Sequence, residues 1–297
     1  MRHVFIPLVL ATTIAGGAMG RSLQDVEYVK SGGQSLRMDA YIPDGKGPYP
    51  AAVIVHGGAW VTGDKQRSVR PLFQPLSQGG MAWFSINYRL ASGNDPASLI
   101  SLESLAALTG AADDVRNAVV YIRQHATELN VDPDRLVLIG ESAGAQLASM
   151  AGLRPSPGKP VQAVVAFYSP SDLVDLVTSS NRIPDALKKA VKGSPLETFL
   201  MAGLKQLSPQ TWVTREAPPF LMIHGTADAL VPFQQSEAMC GALKNAGARC
   251  ELFPVAGAGH GITFWEPQAS MTAYKAKMMD WLTRTLGLDG SVAVARR

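Results

Sequence analysis

The sequence predicts an α/β fold, a mostly parallel central sheet with helices on both faces, and three observations predict it. Continuous apolar runs rich in β-branched residues recur along the chain, as in strands covered on both sides. Stretches of helical period alternate with those runs, the order expected of a sheet built by right-handed crossovers. Two short strand-like stretches, 25–30 and 36–42, come first and flank Ser31-Gly32-Gly33, a turn composition that reads as an antiparallel hairpin.

Before the hairpin, Arg2 and His3 lead into the apolar run 4–17 and then Ala18-Met19-Gly20, the small-x-small grammar of a signal peptide over residues 1–20. The rival reading is a membrane anchor, but a spanning helix needs about 20 apolar residues. The expectation is an exported protein, periplasmic or extracellular, without stable membrane insertion. No cysteine lies near the leader's end to carry a lipid. Residues 21–297 then form a single domain. After the hairpin, strands are expected at 51–55, 81–88, 135–139, 163–168, 220–223 and 250–255. Helices are expected at 112–129, 143–153, 233–246 and 268–286. The stretch at about 172–215 carries helix-like pieces at 183–191 and 196–207 without a convincing strand, and reads as a cap-like insertion over the sheet's edge.

Composition narrows the function classes. Of 297 residues, 46% are hydrophobic and 17% charged, ordinary for a chain that buries a large core. The formal charge is +3, and removing Arg2 with the leader leaves 26 basic against 24 acidic residues, with no basic cluster of the kind that binds nucleic acid. Cys240 and Cys250 fall in a helical and a strand pattern respectively. They can bridge if their Cα atoms come within about 7 Å, and two buried thiols are the alternative.

The chemistry begins at Gly140-Glu141-Ser142-Ala143-Gly144, which follows a strand directly and opens a helix. That context matters more than the pattern. A nucleophile on a tight strand-to-helix turn projects its Oγ, and the helix N-terminus sets backbone N–H groups where negative charge develops. The plain alternative is a packing turn or a phosphate cradle, yet neither a G-x-G-x-x-G fingerprint nor a P-loop occurs. Upstream, His56-Gly57-Gly58-Ala59-Trp60 follows the strand at 51–55. The N–H groups of Gly58 and Ala59, with that of Ala143, are the candidate oxyanion hole.

With these two motifs the chain resembles the hormone-sensitive-lipase-like esterases of the α/β-hydrolase superfamily, nearest the branch of secreted acetyl and feruloyl esterases. The resemblance spans about residues 36–286 and extends to Asn87-Tyr88-Arg89 and Asp113-Asp114. It departs at Ala59, where many relatives carry a third glycine. It implies an α/β-hydrolase fold and carboxylesterase activity on short acyl esters, including acetyl or feruloyl esters of plant polysaccharides, with no cofactor and no metal.

Elimination selects the base. His56 belongs to the oxyanion loop, His125 lies in a helical stretch, and His224 ends a buried strand. His260 sits in Gly257-Ala258-Gly259-His260-Gly261 after the last strand, where this fold puts its base. The acid must orient that imidazole. Asp228, in the loop after the strand at 220–223, is the choice and matches the acid of similar sequences, with Asp172 the runner-up. Trp60, Tyr168 and Trp265 are candidate substrate-binding aromatics, with plain core as the alternative. The resulting reading is a serine carboxylesterase acting on a small-molecule or polysaccharide-linked ester through an acyl-enzyme. The rivals are an amide or peptide hydrolase on the same triad and a binding protein on the hydrolase fold.

Overall fold

The structure is a computed structural model that describes residues 19–31, 33–92, 102–155, 158–179 and 195–288. Residues 1–18 of the expected leader and the expected helical piece at 183–191 lie outside the described residues, and Gly20, the last residue of that leader, opens the first strand. Strand β1 (Gly20–Ser31) pairs antiparallel with β2 (Gln34–Pro43), as the hairpin pattern requires. The chain continues through β3 (Tyr49–Val55), the short helix α1 (Phe73–Gln78), β4 (Ala82–Ile86) and the long helix α2 (Leu102–Gln124). Next come β5 (Val131–Glu141), α3 (Ala143–Leu153) and β6 (Ala163–Phe167). Helices α4 (Leu173–Ser179) and α5 (Pro195–Leu207) lead to β7 (Phe220–Gly225) and α6 (Gln234–Asn245). The chain then passes through β8 (Cys250–Val255) and the single-turn α7 (Ile262–Trp265) to α8 (Ala273–Leu286).

Among the described residues the strands form one eight-stranded sheet in the order β1-β2-β4-β3-β5-β6-β7-β8. β2 meets β4 antiparallel, and every pair from β4 to β8 is parallel. Alternate side chains of the parallel strands feed two separate cores. Val53, Leu138, Ala166 and Met222 pack with residues of α2, α3, α5 and α6 on one face. Ala52, Ile54, Val137, Val165 and Leu221 pack with residues of α1 and α8 on the other. This double burial is why these strands read as unbroken apolar runs.

Helix α2 begins about ten residues before its expected start. Thr109 and Gly110 interrupt the helical pattern, and glycine costs about 1 kcal/mol in a helix interior. The glycine is required by packing: a β-carbon there would lie 2.5 Å from the guanidinium of Arg89. That guanidinium grips the fully buried carboxylate of Asp114 with two hydrogen bonds, Nε to Oδ2 at 2.7 Å and Nη2 to Oδ1 at 2.6 Å. The described part of 172–215 does not hang over an edge of the sheet. α5 packs against α2 and α4, and Leu200, Leu204 and Leu207 are buried in the same core as α2 and α3.

Cys240 on α6 and Cys250 at the start of β8 form a disulfide, their Cα atoms 5.4 Å apart. A bridge closing so short a loop contributes about 2–3 kcal/mol. Intact mass with and without reductant is expected to differ by two hydrogen atoms, and two titratable thiols in protein purified without reductant from an oxidising compartment would refute the bridge.

Candidate active site

Strand register brings the motifs together. Val55 stands opposite Gly140, Glu141 opposite Phe167, Phe167 opposite Ile223, and Gly225 opposite Val255. The loops that follow β3, β5, β6, β7 and β8 therefore emerge side by side at the carboxyl end of the sheet, where open α/β sheets place their ligands. Ser142, immediately after β5, holds φ 54 and ψ −124 and caps α3 without a side-chain hydrogen bond. A β-carbon residue in that region is strained by about 1–3 kcal/mol, and such strain persists where its surroundings impose it. Here the serine amide donates to Phe167 O while its carbonyl accepts the first turn of α3.

His260 Nε2 lies 2.9 Å from Ser142 Oγ, and His260 Nδ1 lies 2.7 Å from Asp228 Oδ2. The other oxygen of Asp228 accepts the N–H groups of Leu230 at 2.8 Å and Val231 at 2.9 Å. Burial alone would push this carboxyl up. The hydrogen bonds from His224 and His260, the charge on His260 and the Val231 amide outweigh it and hold the group well below the usual carboxylate range. His224 is the structural histidine expected from its place at the end of β7. Its Nδ1 pairs with Ser236 Oγ at 2.7 Å, and its Nε2 faces Val231 O at 2.9 Å and Asp228 Oδ2 at 3.4 Å. Asp172, the runner-up acid, instead accepts the Asp175 N–H at 3.0 Å and caps α4.

The oxyanion loop turns through left-handed backbone, with φ 118 at Gly58, 51 at Ala59 and 63 at Trp60. Ala59 thus adopts the conformation that a third glycine would take without strain. The amides of Gly58, Ala59 and Ala143 have no acceptor among the described residues. Ala143 is the first residue of α3, so its N–H belongs to the free donors of a helix N-terminus. His56 supports the loop. Its Nδ1 pairs with Gly57 O at 2.7 Å, its ring stacks on Tyr88, and burial pushes its pKa down to about 4, so it is neutral at pH 7. His125 stands apart on the turn after α2, hydrogen-bonded to Tyr121 O.

The three candidate substrate-binding aromatics belong to the core. Tyr168 is fully buried, Trp265 is 1% exposed and donates to Gly259 O, and Trp60 is 9% exposed and donates to Gln146 Oε1. The single turn of α7 explains Trp265: Ile262 and Trp265, three apart, face inward, and Phe264 takes the solvent side at 72% exposure. Glu141, to which the sequence assigned no role, is buried, and its Oε1 accepts the Gly57 N–H of the oxyanion loop at 2.5 Å. Its position beside the nucleophile was the only signal available.

A family model described as BD-FAE matches residues 38–243, more than half of the chain. The chain belongs to the BD-FAE family. This membership agrees with the resemblance to hormone-sensitive-lipase-like esterases and with the α/β-hydrolase fold. Among curated proteins, this BD-FAE member is 32% identical to the probable carboxylic ester hydrolase LipM of Mycobacterium tuberculosis, over 64% of this chain and 44% of LipM. The chain spans about half the length of the curated relatives it matches. Solved structures align more completely. A truncated carbohydrate esterase from gut microbiota matches with TM-score 0.71 and 27% identity, over 90% of this chain and 96% of the other. Esterase 2 of Thermogutta terrifontis matches with TM-score 0.70 and 25% identity over 92% and 93%, and that esterase has also been solved with propionate, with butyrate and phosphorylated by paraoxon.

Proposed function

We propose that the protein is a serine carboxylesterase. The observation that carries this reading is the chain of contacts from Ser142 Oγ through His260 to Asp228, at 2.9 and 2.7 Å, beside three uncommitted backbone donors. Ser142 Oγ attacks the ester carbonyl carbon while His260 Nε2 takes its proton. The carbonyl oxygen, now an anion, meets the N–H groups of Gly58, Ala59 and Ala143. Collapse breaks the bond to the alcohol, which leaves with the proton from His260. Water, deprotonated in turn by His260, cleaves the acyl-enzyme and releases the acid. A profile of the purified protein on nitrophenyl acetate, an acyl nitroanilide and acetylated xylan tests the assignment. Nitroanilide hydrolysis exceeding ester hydrolysis would make it an amidase, and no turnover of any of them would make it a binding protein.

Turnover rises with pH because only the neutral imidazole of His260 can accept the serine proton. Asp228 does not add to this limb. A carboxyl held below its ordinary value is ionised at every pH above that value, and its contribution to stability is lost only as pH falls through the lowered one. The expected profile of kcat/KM climbs with rising pH and then levels. A flat profile counts against His260 as the base.

The substrate class proposed is a short acyl ester, with acetyl groups on polysaccharides as candidates. Support comes from the propionate- and butyrate-bound structures of the Thermogutta terrifontis esterase and from the carbohydrate esterase among the structural neighbours. Acyl chains of about two to four carbons, the size of the acids bound in those structures, should be cleaved with at least about tenfold higher kcat/KM than chains of about ten. Comparable rates would mean an open, lipase-like site. Export is proposed alongside, supported by the Cys240–Cys250 disulfide, a bond that persists in oxidising compartments.

A further inference from the structure

The candidate oxyanion hole is assembled from two segments of chain. Gly58 and Ala59 lie on the loop after β3, whereas Ala143 opens α3. The loop does not hold its shape by local preference, because Ala59 and Trp60 at φ 51 and 63 occupy a left-handed backbone that persists only where the surroundings impose it. Its own hydrogen bonds, from the Val61 and Thr62 N–H groups to Gly58 O, close the turn without reaching α3. Tethers from outside hold both of its ends. At the entry, the Gly57 N–H donates to Glu141 and the Tyr88 hydroxyl donates to His56 O. At the exit, Trp60 O accepts the Ala91 N–H at 2.8 Å, and the Trp60 indole donates to Gln146.

Gln146 stands on α3 one turn after the nucleophile, where its own N–H donates to Ser142 O at 3.2 Å, and its side chain is fully buried. Its Oε1 accepts the Trp60 Nε1–H at 3.0 Å, across 86 residues of chain. Its Nε2 donates to Leu207 O at 2.6 Å, across 61 residues. Leu207 ends α5, so this carbonyl is one of the acceptors that a helix C-terminus leaves free. The two partners settle which way the amide faces, since an indole N–H only donates and a backbone carbonyl only accepts. A reversed amide would set donor against donor and acceptor against acceptor. Leu207 therefore keeps Gln146 in the orientation that Trp60 needs, in a dry site where an unpaired end is not compensated by water.

We propose that Gln146 is a positioning residue of the oxyanion hole: it anchors Trp60 to the helix that carries Ala143, and so fixes the amides of Gly58 and Ala59 against the amide of Ala143. It does not act on the reacting atoms itself, because both polar ends of its side chain are committed to Trp60 and Leu207. The end of α5 takes part by orienting the amide. The rate depends on this anchor because oxyanion donors work only at about 2.7–3.1 Å from the developing charge. A misplacement of about 1 Å costs about 100-fold.

The inference rests on the esterase reading of Ser142, His260 and the three amides, and the test separates the two. Hydrolysis of nitrophenyl acetate and inhibition by an alkyl trifluoromethyl ketone are measured for the full chain, Gln146→Met, Trp60→Phe, the double variant and Ser142→Ala. The ketone reads the hole directly: Ser142 Oγ adds to its carbonyl carbon, His260 takes the serine proton, and the hemiketal oxygen is left as an anion on the amides. Gln146→Met keeps the length of the side chain and makes neither hydrogen bond, whereas Trp60→Phe keeps an aromatic ring and lacks the donor. Each single variant should lose about 10- to 100-fold in kcat with KM within about twofold, and its affinity for the ketone should fall by about the same factor. The double variant should lose no more than the worse single one, because both cut the same anchor. A lower melting temperature with kcat and ketone affinity within about twofold of wild type would show a merely structural role and overturn the proposal. A loss carried by KM, losses that multiply, or a fall in kcat with unchanged ketone affinity would overturn it as well, and all of these would leave the triad standing. An inactive wild type or an active Ser142→Ala would remove the esterase reading and the anchor with it. If Gln146→Met does not fold, Trp60→Phe decides by the same two measurements.

Discussion

Ser142→Ala should fold with an unchanged melting temperature and lose about 10⁴-fold or more in kcat on nitrophenyl acetate. The loss is large because the hydroxyl is the atom that forms the acyl-enzyme. What remains is the weak catalysis of the oxyanion donors and of substrate binding. Stability should hold because alanine keeps the β-carbon and hence the strain at φ 54, and because the Ser142 amide still donates to Phe167 O. His260 Nε2 loses a partner, but the ring stays anchored by Asp228 at its other nitrogen. Stopped-flow bursts of nitrophenol from wild type, absent in the variant, would localise the loss to acylation. Residual activity within about tenfold of wild type would sink the nucleophile assignment and, with it, the reading of residues 140–144 as a catalytic elbow.

Asp228→Asn should lower kcat by about 10⁴-fold with little effect on folding. The carboxylate oxygen facing His260 accepts a hydrogen bond from the Nδ1–H and so holds the proton on that nitrogen, which leaves Nε2 unprotonated toward Ser142. An asparagine amide in its place donates to Nδ1, drives the proton onto Nε2 and turns the base away from its task. The fold should survive because the asparagine oxygen can still accept the Leu230 and Val231 amides. Asp172→Asn is the matched control. Asparagine caps a helix as well as aspartate does, so both the α4 cap and turnover should stay close to wild type. The reverse ranking of the two variants would move the acid to the loop after β6.

Much of this site was legible because its parts are local. The Ser142 elbow, the His56–Trp60 loop and the Gly-rich loop around His260 each declare themselves through a few contiguous residues beside a strand. The same holds for the sheet, where burial on both faces writes an unbroken apolar run into each parallel strand. Where a local rule met a tertiary demand, the reading slipped. Gly110 looks like a helix break and is instead the clearance for Arg89 on Asp114, a contact visible only once the loop after β4 lies against α2.

The sequence by itself determined which residue types could do chemistry and which strand each follows, since strand period and turn composition are properties of neighbouring residues. Only the tertiary structure decided distances. Register sets the ends of β3, β5, β6, β7 and β8 level, and that level is what brings Ser142 and His260, 118 residues apart, to hydrogen-bond distance. It also decided orientation, turning Trp265 and Tyr168 into the core and Phe264 to solvent. Glu141 shows the reason most plainly. Its type and place in the motif were readable, but its partner is Gly57 on another strand's loop, and a contact between distant segments exists only after the strands between them have paired.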